Sequence, residues 1–170
     1  MTNIEGQPDA SQAARLLAAA AQTLASVRFC WLLTASQGGS TNSRPMGLLE
    51  PEPGNDAWKL LFLTNRRSPK AADIRRDRRV RIDIHNDSAY AFVSLIGTAT
   101  LHEEAAEVRK RWKPAYDQIS RSGADVAFIE IDVHGMDLWI RGVTPEPFGF
   151  ITTTLKRDAG GAWQVVHAAA

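Results

Sequence analysis

Three consecutive residues, Ser68-Pro69-Lys70, carry the most chemistry in the chain. They follow a short apolar run, Leu60 to Leu63, and a polar basic turn, Thr64 to Arg67. They also open a helical pattern. A serine at the N-cap accepts a bond from a free backbone N–H of the first turn. A proline at the first helical position loses nothing by lacking its N–H. Such a helix start favours an anion through its free N–H groups and its dipole. Lys70, Arg66 and Arg67 add cations at the same place. Strand, basic turn and capped helix together make a phosphate seat, and the same residues also read as an ordinary helix cap beside solvated charges. Arg44 is the second candidate. It lies in Ser43 to Leu49, a strand pattern containing Pro45, which points to an edge or a bulge. Its guanidinium can form two parallel bonds to a phosphate. On its own it reads more simply as a surface arginine.

Other chemistries find no support. There is no G-x-G-x-x-G, P-loop or G-x-S-x-G elbow. The four histidines, His85, His102, His134 and His167, are scattered, and none has zinc-ligand spacing. His102-Glu103-Glu104 reads as the polar start of a helix. No nucleophile, base and orienting acid can be assembled, so any catalysis would rest on a bound cofactor. The net charge is +1 over 170 residues, which speaks against a general nucleic-acid binder. The basic run Arg75 to Arg79 reads as a solvated helix end, where cations are favourable. No apolar run is long enough to span a bilayer, and the first residues do not resemble a signal peptide. The one cysteine, Cys30, excludes an intrachain disulfide and agrees with a reducing cytoplasm. It lies in an apolar run and reads as a small core residue.

The elements that must position the seat follow from periodicity. Ala10 to Ala25 is a helix with Leu16, Leu17, Ala20, Ala21 and Leu24 on one side. Val27 to Thr34 reads as a strand buried on both faces. Trp58 to Leu63 is the third strand, and the helix from Pro69 ends near Asp77. Val80 to Ile84 alternates as a half-exposed strand, and Tyr90 to Leu101 is a long one in which Gly97 marks a bulge or close approach. Strands three, four and five are expected to be local neighbours. A helix within Glu103 to Tyr116 breaks at Pro114. Gln118 to Ala124 is irregular. Val126 to Val133 and Met136 to Arg141 read as two strands joined at His134-Gly135, and Phe150 to Lys156 with Trp163 to His167 as a hairpin. About seven to nine short strands and three helices favour a mostly β, α+β, antiparallel barrel over a doubly wound sheet. The chain divides into a helix at 1–26, a barrel core at 27–142 and a hairpin extension at 143–170, all in one domain.

Four stretches in order resemble a known family: Arg44-Pro45-Met46, Phe62 to Lys70, Ser94 to Ala99 within Tyr90 to Ala99, and Arg111-Trp112-Lys113-Pro114. Together they are similar to the pyridoxamine 5′-phosphate oxidase-like FMN-binding proteins, in particular the general stress protein 26 group. The resemblance spans roughly 27–141. It implies a split β-barrel homodimer with two FMN sites between the subunits. It implies that Arg44, Ser68 and Lys70 hold the FMN phosphate. Met46, Thr64 and Asn65 would lie around the flavin ring and ribityl chain, with Trp112 close by.

The chain departs from the family pattern at three points. Pro69 stands where arginine often precedes the lysine. Ser120 to Asp125 keeps only a trace of an aromatic segment with a glycine and acidic cluster. The arginine-x-histidine of the true pyridoxamine phosphate oxidases is missing, since Val165 and Val166 precede His167. The resemblance therefore implies an FMN-dependent oxidoreductase with an unassigned small-molecule substrate, distinct from the true pyridoxamine 5′-phosphate oxidases. The alternatives are a non-catalytic FMN store or redox-sensing stress protein, or a barrel that has lost flavin.

Overall fold

A computed structural model describes residues 7–120 and 125–166. The elements run α1 (Gln7–Ala25), β1 (Phe29–Ala35), β2 (Thr41–Gly47), β3 (Lys59–Asn65), α2 (Pro69–Arg76), β4 (Arg79–Asn86), β5 (Ala91–His102), α3 (Ala105–Arg111), β6 (Val126–Ile140), β7 (Thr153–Arg157) and β8 (Trp163–Val166), with single 3-10 turns at Asp87–Ala89 and Pro114–Gln118. All strand pairs are antiparallel. The sheet order is β2-β1-β4-β5-β6-β7-β8, with β3 also on β6. The long strand β6 pairs with β5 on one side. On its other side the first half takes β3 and the second half takes β7. Among the described residues no ladder closes the barrel. Leu49 N–H donates to Leu61 C=O at 3.2 Å, a single bond between the chain after β2 and β3.

Burial explains these elements. Ala13, Leu16, Ala20 and Thr23 form the covered stripe of α1, at steps of three and four. Ala21, expected on that stripe, is exposed, because the buried arc is one residue narrower than the alanine run suggests. The helix begins at Gln7, so Pro8 falls in its first turn, where a missing N–H is harmless. Leu32, Phe62, Ile82, Leu95, Ile131 and Leu138 fill the main core. On β3 the alternate residues Leu61 and Leu63 face a second cluster with Tyr116, Phe128 and Trp112, so this strand is apolar on both sides.

Several expectations are corrected. The first strand alternates, with Phe29 and Trp31 exposed on its outer face and Cys30, Leu32 and Thr34 inward. The third strand does not neighbour the fourth; β4 lies between β1 and β5. Val126 to Arg141 is one strand rather than two. Its pairing steps from Ile96↔Gly135 to Gly97↔Val133, leaving His134 as an extra, unpaired residue of a β-bulge. That extra residue shifts the alternation and mimics a strand break. Gly97 sits at the bulge, where an added Cβ would lie 2.7 Å from the Asp132 carbonyl oxygen. Tyr90 precedes β5 as a turn residue at φ 47°. Phe150 and Ile151 lie outside β7 and are exposed. Residues 121–124 of the irregular stretch and His167 of the hairpin lie outside the described residues.

Candidate functional site

The seat forms where β2, the end of β3 and the start of α2 meet. Ser68 is the N-cap of α2 and accepts from Ala71 N–H at 3.3 Å, and Pro69 opens the helix. Ala72 N–H bonds to Ser68 C=O. The free helix-start donors thus reduce to the Lys70 N–H among the described residues, fewer than a capped helix alone would offer. Any further hydrogen-bond donors at this helix start must come from side chains. Thr64 Oγ1 and Ser68 Oγ lie 3.3 Å apart. One hydroxyl donates to the other, which leaves a second O–H proton available.

Lys70 is half-buried and has no hydrogen-bond or ion-pair partner among the described residues. Burial first, and the nearby Arg44 charge second, hold its ammonium below the usual lysine range. Arg44 donates to Thr34 Oγ1 at 2.7 Å and lies 3.5 Å from Asp73 Oδ2. Asp73 is buried in α2 and accepts from Thr34 at 2.7 Å, Asn42 at 3.0 Å and Arg76 at 3.1 Å. Burial would raise the Asp73 carboxyl, but these donors bring it below its ordinary value. A cavity of about 330 Å³ is lined by Lys70, Thr64 and Asn65 together with Ile119, Ser120 and Asp125. That size lies within the range of small-ligand sites.

Of the residues expected at the site, Thr64, Asn65, Ser68 and Lys70 surround this cavity or its helix start, and Arg44 stands beside Lys70. Met46 points into the main core and is buried. Trp112 packs in the second cluster against Tyr116 and Phe128, and its indole N–H donates to Asp117 at 3.0 Å. The charged core of the seat includes three residues that sequence reasoning passed over: Thr34, Asn42 and Asp73. Asp73 is buried in α2 along with Ala71 and Ile74, but two residues from Ala71 it lies on nearly the opposite side of the helix, so helical spacing carried no signal for it.

A second cavity, about 490 Å³, opens on the outer face of β4, β5 and β6. Phe92, Trp139 and Phe148 line it, with Arg81, Asp83 and His85. Trp31, Asp83, Ser94 and Asp137 form one cross-strand row on this face.

The fold and the local geometry define a class, an antiparallel split barrel with a cavity flanked by cations at a strand-to-helix turn. Residues 17–161 match the family model described as pyridoxamine 5′-phosphate oxidase like, and the chain belongs to that family. A comparison with curated proteins gave no match. Among solved structures, the chain is similar to a Clostridium acetobutylicum protein related to general stress protein 26 of Bacillus subtilis. That match has 15% identity over 84% of this chain and 94% of that one, with TM-score 0.68. It is also similar to a pyridoxamine 5′-phosphate oxidase-related, FMN-binding protein from Nostoc punctiforme, at 15% identity over 90% and 95% of the two chains and TM-score 0.66. A third is PhzG from Burkholderia lata, solved with tetrahydrophenazine-1-carboxylic acid, at 15% identity over 95% and 93% and TM-score 0.63. At such identities the likeness shows the fold.

Proposed function

We propose that this protein is a flavoprotein that holds FMN by its phosphate and uses it as an oxidoreductase on a small molecule. The observation that carries the reading is Lys70, a half-buried ammonium beside Arg44 with no hydrogen-bond or ion-pair partner among the described residues. A buried cation lacking a counter-charge is costly, and an incoming anion relieves that cost. The residues present fit a phosphate monoester: two cations, a spare hydroxyl proton at Thr64 or Ser68, and the Lys70 N–H. FMN, when bound, supplies hydride and electron chemistry that these side chains lack. Arg44, Ser68 and Lys70 would hold its phosphate, with Thr64 and Asn65 along the adjoining cavity. Family membership and the FMN-binding relative support the cofactor.

We further propose a homodimer. Phe29, Trp31 and Phe92 are exposed on one outer face, and such apolar patches mark association surfaces. A reducing cytoplasm suits the single, buried cysteine. A stress-related role rests on likeness to the general stress protein 26 relatives.

The test is spectroscopic. Protein reconstituted with FMN should keep flavin absorbance through desalting, and a colourless protein with no FMN affinity overturns the assignment. Stopped-flow mixing with NADH or NADPH then distinguishes turnover from storage or sensing: bleaching of the flavin supports the oxidoreductase.

A further inference from the structure

Building on the phosphate-seat reading, we propose that Asp73 is a positioning residue that locks Arg44 of β2 to the start of α2, so that the two cations of the seat act on one phosphate. Three elements converge on this carboxylate. Thr34 comes from β1, Asn42 and Arg44 from β2, and Asp73 itself from α2. Oδ2 accepts from Thr34 and Asn42 and faces the Arg44 guanidinium; Oδ1 accepts from Arg76. The Arg76 guanidinium also donates to Ala35 C=O at the end of β1, tying the same junction a second time.

The Thr34 hydroxyl has a single proton. It donates that proton to Asp73 and accepts from Arg44, both at 2.7 Å. Asp73 therefore sets the direction of the hydroxyl, and the lone pair left over faces Arg44. Arg44 is anchored by an acceptor whose own proton is already engaged by Asp73. A glutamine or asparagine could not replace this carboxylate. Both of its oxygens face donors, so an amide in either flip aims an NH2 group at another donor.

Charge and geometry make opposite predictions here, which makes the role testable. Removing a negative charge beside a phosphate should strengthen binding if Asp73 acts only through its field. Loss of the clamp should weaken binding. Asp73→Asn is expected to weaken FMN about tenfold, the scale of a broken charged hydrogen-bond network, with riboflavin affinity unchanged. In an Arg44→Ala background the same substitution should have no further effect on FMN, since no guanidinium remains to position. Flavin fluorescence titration of the four proteins reads both quantities. Should Asp73→Asn fail to fold, Thr34→Val removes the bridging hydroxyl and must show the same FMN-specific loss and the same dependence on Arg44. Tighter FMN binding, equal losses for FMN and riboflavin, or an undiminished effect without Arg44 would each overturn the proposal. These outcomes leave the FMN reading intact. A wild-type protein that binds neither FMN nor inorganic phosphate would instead remove both.

Discussion

If FMN binds as proposed, Lys70 ties the charge state of one side chain to ligand affinity. A phosphate monoester carries about −1.5 to −2 charges at neutral pH, and hydrogen bonds to charged groups contribute roughly 1.5–3 kcal/mol. Lys70→Ala should therefore weaken FMN about 10- to 150-fold and leave riboflavin, which lacks the phosphate, unchanged. Titrating both ligands into both proteins gives the comparison, and equal losses would place the phosphate elsewhere. The pH dependence has a definite sign. In the free protein the Lys70 ammonium is held below its ordinary value by burial and by Arg44. A bound phosphate favours the charged form, so FMN affinity is fully present below the free-protein pKa and falls as pH rises through it. The phosphate's own second ionisation, near about 6, sets the acidic side. Affinity measured against pH should rise and then fall, and Lys70→Ala should lose the alkaline limb alone. The Ser68 cap and the helix start that carries Lys70 were legible in the sequence because capping chemistry is local. Asp73 was not, because a mid-helix aspartate looks the same whether it faces solvent or strands brought in from thirty residues away.

At the scale of elements, the bulge in β6 controls how the two longest strands meet. Gly97 sits against the backbone of Asp132, and an added Cβ would be 2.7 Å from both its carbonyl oxygen and Ile131 Cγ2. Gly97→Ala should destabilise the protein by about 1–3 kcal/mol, the usual cost of overpacking. A urea unfolding midpoint unchanged from wild type would contradict that. Sequence reading marked Gly97 as a bulge or close approach, and the structure has both. It split β6 at His134-Gly135 because one extra residue inverts the inward and outward alternation on which strand reading depends. It joined β3 to its sequence neighbours because pairing across sixty residues leaves no trace in local periodicity. The helix limits fared better. Ser68 and Pro69 open α2 where capping rules put them, and the helix ends at Arg76 with the backbone N–H of Asp77 as its last bond.

For the whole molecule, two expectations concern assembly and substrate. Light scattering at micromolar concentration with FMN present should give twice the chain mass; a monomer mass would count against a site shared between subunits. Pyridoxamine 5′-phosphate should be oxidised weakly or not at all, since the arginine-x-histidine that holds substrate in the true oxidases is absent; robust formation of pyridoxal phosphate would reverse that view. The barrel as a class was legible from many short strands with few helices, but its strand order was not, and that order has a consequence during synthesis. Among the described residues β3 has one strand partner, β6, and it carries apolar residues on both faces. On the ribosome Asn65 emerges well before Val126, and at about 5–20 residues per second the interval lasts seconds. Throughout it, a sticky segment with unsatisfied backbone groups waits for a partner not yet translated. The nascent chain is thus most vulnerable to association with other chains, and most in need of a chaperone, in the window that closes when β6 arrives.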